Sequence, residues 1–119
     1  MRIAYSRADV ILANVVFSGG LGSKARPVVV LSTEAYNQGG IKLIGAAITS
    51  NLNPPSRAGD VVLIDWVDAG LAFPSAVRGI VVTVDRIDVR KVLGVMSAED
   101  FARVEQGVAD VMGLRVIGP

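Results

Sequence analysis

Neither histidine nor cysteine occurs among the 119 residues of this chain, and the two absences remove much of the usual catalytic repertoire. There is no Ser-His-Asp triad, no cysteine nucleophile, no imidazole acid–base pair and almost no route to a structural zinc site. With no disulfide frame either, the fold must rest on its own core or on pairing with another subunit, and cysteine usage says nothing of redox compartment. Charge is also sparse, with a formal net charge of +1. Attraction to phosphate depends on clustered Lys and Arg, so a nucleic-acid ligand would require a local basic patch. No apolar run approaches the ~20 residues that a membrane-spanning helix needs. Asp9 and Asn14 interrupt the stretch that superficially resembles a signal peptide. A soluble cytoplasmic protein with no membrane partner is expected.

What the chain does have is apolar content, 51% of its residues. Its length fits a single domain, 1–119, with a high surface-to-volume ratio, and part of the apolar surface is expected to face a second copy. Asp9 to Phe17 reads as a strand and Ser18 to Ser23 as a flexible glycine-rich loop. Val28 to Leu31 is a β-branched run too short for a lone buried helix. Thr33 to Asn37 fits one helical turn, and Ile41 to Thr49 a third strand with small residues at its centre. Asn51 to Gly59 reads as an exposed loop, Asp60 to Trp66 as a half-buried strand with Trp66 inward, and Ala76 to Val84 and Ile87 to Met96 as two more strands. The clear helix lies near the C-terminus. Ser97 suits its N-cap, Asp100 completes a capping-box spacing, Phe101, Val104, Val108 and Val111 share one face, and Gly113 ends it. Short strands followed by one amphipathic helix predict a mainly β fold, a strongly bent antiparallel sheet of SH3-like barrel type with the helix over one opening.

Two segments carry candidate chemistry. In Lys24-Ala25-Arg26-Pro27, the proline holds Arg26 in extended geometry at the mouth of a strand, and in Ile48-Thr49-Ser50 a hydroxyl stands at the end of another. A guanidinium fork and a hydroxyl donor can address one phosphate together. Taken singly, each has a plainer explanation: Arg26 and Arg78 as surface strand arginines, Thr49 as a hydroxyl satisfying nearby backbone. Gly19-Gly20-Leu21-Gly22 before Lys24 lacks the Gly-Lys-Ser/Thr ending of a phosphate-cradling loop, and Asp60, Asp65 and Asp68 fit no metal-ligand spacing, reading instead as solvated or capping carboxylates.

The order of these pieces resembles the MazF/PemK family of toxin ribonucleases from type II toxin–antitoxin modules. The likeness runs from the first strand and glycine-rich loop through Lys24–Ser32, Ala47–Ser50, Gly59–Leu63, Ala69–Leu71 and Pro74–Arg78 to Thr83–Asp85, Leu93–Gly94, Ser97–Asp100 and Met112–Leu114. It implies an SH3-like barrel, a homodimer, a cognate acidic antitoxin, no cofactor or metal, and cleavage of single-stranded RNA to 2′,3′-cyclic phosphate and 5′-hydroxyl ends. The family's principal catalytic positions fall on Arg26 and Thr49. Lys24, Ser50, Arg78, Phe17, Ser18, Gly19, Gly20 and Asn51 are the expected RNA-binding residues. Arg26 would act as an electrostatic clamp, since a guanidinium gives up a proton reluctantly. Some relatives carry an Arg-x-Asp pair, and here Ile80 takes the carboxylate's place; others use a loop histidine, which this chain lacks. Two further readings stand beside this one. A gyrase-binding CcdB-like toxin shares the architecture, but its Trp-Gly-Ile ending differs from Val116-Ile117-Gly118-Pro119. A catalytically silent SH3-like module accommodates the missing carboxylate.

Overall fold

The computed structural model describes residues 4–15, 24–53 and 55–115. Six antiparallel strands form one sheet: β1 (Asp9–Val15), β2 (Lys24–Val30), β3 (Lys42–Thr49), β4 (Val61–Val62), β5 (Ala76–Asp85) and β6 (Val89–Val95), in the spatial order β4-β5-β3-β2-β1-β6. A short helix α1 (Glu34–Gly39) follows β2, and α2 (Ala98–Met112) follows β6. The sheet is barrel-like without being hydrogen-bonded into a closed ring, because β4 and β6 stand at its two ends.

Both faces of the sheet are apolar, which is why Val28, Val29 and Val30 are buried in succession instead of alternating with polar residues. Val10, Val29, Ala46 and Ile48 turn to one side, where Phe101 and Val104 of α2 join Leu63, Ala69 and Met96 over them. Ile11, Ala13, Val28, Val30 and Leu43 turn to the other, around Tyr5 and Val84. The small centre of β3 has a steric reason. A Cβ at Gly45 would meet the Val29 carbonyl and a Val28 methyl, so glycine lets β2 approach.

The sequence-based boundaries hold closely for β3, β5 and α2; β1 starts at Asp9 as expected, with its expected end at Phe17 outside the described residues, and β2 starts at Lys24, four residues before the apolar run. Ser97 caps α2 by accepting from the Asp100 amide (3.2 Å), and Gly113 closes it in the left-handed conformation, φ 69°. Two expectations are corrected. The Asp60–Trp66 strand is only two residues long, because the amides of Ile64 and Asp65 leave the sheet for the carboxylate of Asp100 (3.1 and 2.8 Å to Oδ2). The same contacts mean that Asp100 does not serve as a reciprocal capping-box acceptor. Its fully buried side chain instead ties the first turn of α2 to the chain leaving β4, with Arg103 as a further donor. Trp66 is partly buried and packs against the core from a turn, not from a strand.

Candidate active groove

Ladder geometry brings Arg26 and Thr49 together. Val28 pairs with Ala47 across β2 and β3. Carried two residues further, that register sets Arg26 directly opposite Thr49. The ladder itself ends at Val28, beside Pro27, which has no N–H to offer. The strand ends separate there, and Arg26 and Thr49 line the resulting cavity of about 330 Å³ with Ser50 and Asn51.

Thr49 keeps its hydroxyl hydrogen uncommitted in the one bond its oxygen accepts. Its Oγ1 accepts the Asn51 amide at 3.0 Å, so the hydroxyl hydrogen is left to point elsewhere. Asn51 in turn accepts the Asn53 amide on its own Oδ1 (3.2 Å), continuing the run of tight local turns that starts the 51–60 loop.

A second cavity of about 250 Å³ adjoins the first and shares Arg26, Ile48, Thr49 and Asn51 with it, while adding Arg78 and Ile80. A bulge in β5 supplies these two. Ala46 pairs with Val81 and Ile48 with Val77, so Arg78, Gly79 and Ile80 stand opposite Ala47 alone. Extra residues on one strand of a pair bend it and re-aim its side chains. The groove therefore has two lobes, with Arg26 and Thr49 at the waist.

Compared with known proteins, residues 6–112 match the family of PemK-like, MazF-like toxins of type II toxin–antitoxin systems. The chain belongs to that family. Solved structures of the same fold include an endoribonuclease in complex with its cognate antitoxin from Mycobacterial species, at 16% identity, covering 96% of this chain and 100% of that one, with TM-score 0.72. The Mycobacterium tuberculosis toxin MazF-mt6 has 23% identity over 91% of this chain and 99% of its own, TM-score 0.73. MazF from Deinococcus radiodurans has 21% identity over 95% and 100%, TM-score 0.75. A comparison with curated protein sequences found no match.

Within this PemK/MazF-like toxin, Arg26, Thr49, Ser50, Asn51 and Arg78 all line the two-lobed groove, whereas Lys24 is exposed at the start of β2 and lines neither lobe. Phe17, Ser18, Gly19 and Gly20 lie outside the described residues. Arg78 is more committed than a surface arginine. Its Nη1 donates to Asp60 Oδ2 at 2.6 Å and its Nη2 to the Asn51 carbonyl at 3.0 Å, so it joins the two ends of the 51–60 loop. Asp60 is the residue that sequence reasoning undervalued. Far from being solvated, its side chain is only 4% exposed, and it also accepts the amides of Arg57 and Gly79. The sequence signal for it was weak, because Asp60 and Arg78 lie on different elements.

Burial, the largest single influence, pushes the Asp60 carboxyl upward, but the Arg57 amide, the Arg78 guanidinium and the Gly79 amide together hold it below its ordinary value. Asp100 behaves alike: burial opposes its ionisation, and the amides of Asp65 and Ile64 with Arg103 outweigh that. Both groups titrate lower in the folded protein than in the unfolded chain, so the unfolded chain takes up protons first as pH falls. The stability they contribute is complete above the unfolded value of about 3.9 and is lost as pH drops through the folded values. Thermal melts across pH should therefore be level with respect to these two groups from neutrality down to about pH 5 and decline below about pH 4. In the double variant Asp60→Asn/Asp100→Asn that acid decline should be shallower, and an unchanged one would contradict the assignment.

Proposed function

We propose that this toxin is an endoribonuclease that cuts single-stranded RNA without a metal ion, by attack of a ribose 2′-hydroxyl on the adjacent phosphate, leaving 2′,3′-cyclic phosphate and 5′-hydroxyl ends. The observation that carries the reading is the placement of Arg26 across from Thr49 at the waist of the groove, with the Thr49 oxygen anchored by the Asn51 amide and its hydrogen still available to donate. Attack on phosphorus gathers negative charge on the non-bridging oxygens. A planar guanidinium and a fixed hydroxyl stabilise that charge more in the transition state than in the ground state. That a mycobacterial protein with this fold is an endoribonuclease supports RNA cleavage by this groove.

Arg26, Thr49, Ser50, Asn51 and Arg78 include no carboxylate and no imidazole, and Ile80 is the residue that stands two places beyond Arg78. With these residues alone, the 2′-hydroxyl proton leaves to solvent hydroxide and the departing 5′-oxygen takes its proton from water, so the cleavage rate should rise about tenfold per pH unit from pH 6 to 8 with no plateau. A plateau with a midpoint near 6 to 7 would reveal a general base and overturn this part of the mechanism. Among the described residues, no group of three or more carboxylates is placed to hold a metal ion. Incubation of the purified protein with a long RNA in EDTA should give cut ends of the stated kind; strict dependence on added Mg²⁺, or intact RNA, would remove the proposal.

The same groove is proposed to take the acidic tail of a cognate antitoxin, which would compete with RNA for Arg26. Exposed apolar side chains including Val62, Ile64, Ile80 and Val111 support pairing of the chain with a second copy. Light scattering should give twice the monomer mass at micromolar concentration. A monomer mass with cleavage retained would exclude the dimeric form. Among the described residues no helix is long and apolar enough to cross a membrane, and a cytoplasmic location is part of the proposal, since RNA is found there.

A further inference from the structure

The lobe of the groove that Arg78 does not enter is walled by Leu71, Ala72, Phe73 and Leu93. Phe73 is the conspicuous member. Its side chain is 65% exposed although it is a large aromatic, and it stands in the same cavity as Arg26 and Thr49.

That exposure does not come from a slack loop. The turn before it is closed by Gly70 N donating to the Val67 carbonyl (3.0 Å) and Leu71 N to the Trp66 carbonyl (3.1 Å). Gly70 has φ 80°, and a Cβ there would collide with the Leu93 carbonyl of β6, so the turn lies flush on that strand. Downstream, Pro74 restricts the backbone of Phe73, and the Ser75 hydroxyl donates to the Phe73 carbonyl at 2.7 Å. Ala69 and Ser75, either side of this stretch, are buried. An apolar ring has been left in water on a backbone fixed from both ends.

We propose that Phe73 is a stacking platform for the nucleobase next to the scissile phosphate. The inference rests on the reading that RNA occupies the groove with that phosphate at the waist between Arg26 and Thr49. A strand crossing the waist sends one flanking nucleotide into each lobe. One lobe offers the Arg78 guanidinium and Ile80; the other offers Leu71, Leu93 and the flat ring of Phe73. Bases of single-stranded RNA are bound by stacking on exposed aromatic rings, and this contact tolerates any base because every base has a π-face. Because the backbone that carries the ring is fixed before RNA arrives, only the side chain's own rotation has to be ordered on binding. The lobe thus adds affinity and positions the phosphate, while discrimination between bases falls to other parts of the groove.

The test uses the full chain and an RNA containing a site mapped with the wild-type protein. One copy is made non-cleavable by a 2′-deoxy substitution at the cut, with 2-aminopurine placed in turn on each side of it. Wild-type protein should quench the fluorophore on one side. Phe73→Leu keeps the apolar bulk and loses the flat face; it should melt as the wild type does, lose the quenching, and bind the RNA about 5- to 150-fold more weakly. On cleavable RNA the loss should appear in KM more than in kcat, and Phe73→Trp should restore binding. Quenching on neither side, or equal binding and quenching by Phe73→Leu, would overturn the stacking role while leaving Arg26 and Thr49 in place. Failure of the wild type to cut any RNA would instead overturn the reading beneath it, and this proposal with it.

Discussion

Replacing Arg26 by lysine or Thr49 by valine is expected to lower single-turnover RNA cleavage by about 10²- to 10³-fold, the usual cost of one lost transition-state donor. Lysine keeps the charge but presents a point donor in place of a planar fork, so two parallel bonds to phosphate oxygens become one. Valine keeps the β-branched shape that suits the end of β3 and loses only the hydroxyl. Arg26 is exposed and Thr49 half-buried, which keeps the structural cost of either change small. The Asn51 amide would lose its acceptor in Thr49→Val, but it lies at an exposed position where water replaces the hydroxyl oxygen. RNA binding should fall much less than turnover, because ground-state phosphate retains its other contacts. Rates should be taken at saturating protein with thermal melts alongside. Two folded variants that cut at nearly the wild-type rate would remove Arg26 and Thr49 from the chemistry and favour a binding role for the groove.

The largest effect on stability is expected at Asp100. Its carboxylate is fully buried and accepts from Ile64, Asp65 and Arg103 at once, although it belongs to neither the groove nor the sheet. Asp100→Ala leaves the part-buried amides of Ile64 and Asp65 without that acceptor and Arg103 without its partner, and an amide left unsatisfied costs up to about 1–3 kcal/mol. Arg103 matters less, being 42% exposed and able to turn to solvent. A loss of about 2–5 kcal/mol is therefore expected, lowering Tm by roughly 10 °C or more for a chain of this size. Asp100→Asn retains one acceptor oxygen and should fall between wild type and alanine. The effect on cleavage at low temperature should be slight, which separates this residue from Arg26. An Asp100→Ala protein that melts within about 1 °C of wild type would show that the helix and the β4 exit are held by apolar packing alone.

The elements that local chemistry specifies were legible before the structure. The Ser97 cap and the Gly113 stop each depend on a few adjacent residues and mark the boundaries they predict, and the Val28–Leu31 run falls in a strand that starts four residues earlier, at Lys24. Arg26 and Thr49 were singled out by the family resemblance more than by their own surroundings, and the structure brings both into one cavity. What depends on distant partners was not legible. Nothing near Asp60 signals that Arg78 will meet it through a bulge that inserts Arg78, Gly79 and Ile80 opposite one residue of β3. The alternation of Asp60–Trp66 predicts a strand, yet an acceptor on α2 draws the amides of Ile64 and Asp65 away from the sheet. Capping-box spacing at Ser97 and Asp100 was present, but the carboxylate found stronger donors across the fold. The exposure of Phe73 was equally hidden, since nothing in the sequence around it signals that the turn at Gly70 lies against β6.

The open ring of strands leaves two sheet ends in contact with solvent, and each is made unsuitable as a template for a neighbouring chain. At one end β4 is hydrogen-bonded over Val61 and Val62 only, after which the backbone departs toward α2. A row of two residues is too short to recruit another strand. At the other end β6 runs for seven residues, but Arg90 and Lys91 are exposed along it and the 69–70 turn sits on the backbone at Leu93 and Gly94. Short edges, edge cations and covering loops are the devices by which β proteins avoid sheet-to-sheet polymerisation. A protein that is half apolar by composition can thereby accumulate as discrete particles, so association between copies is left to side-chain surfaces and not to the extension of the sheet.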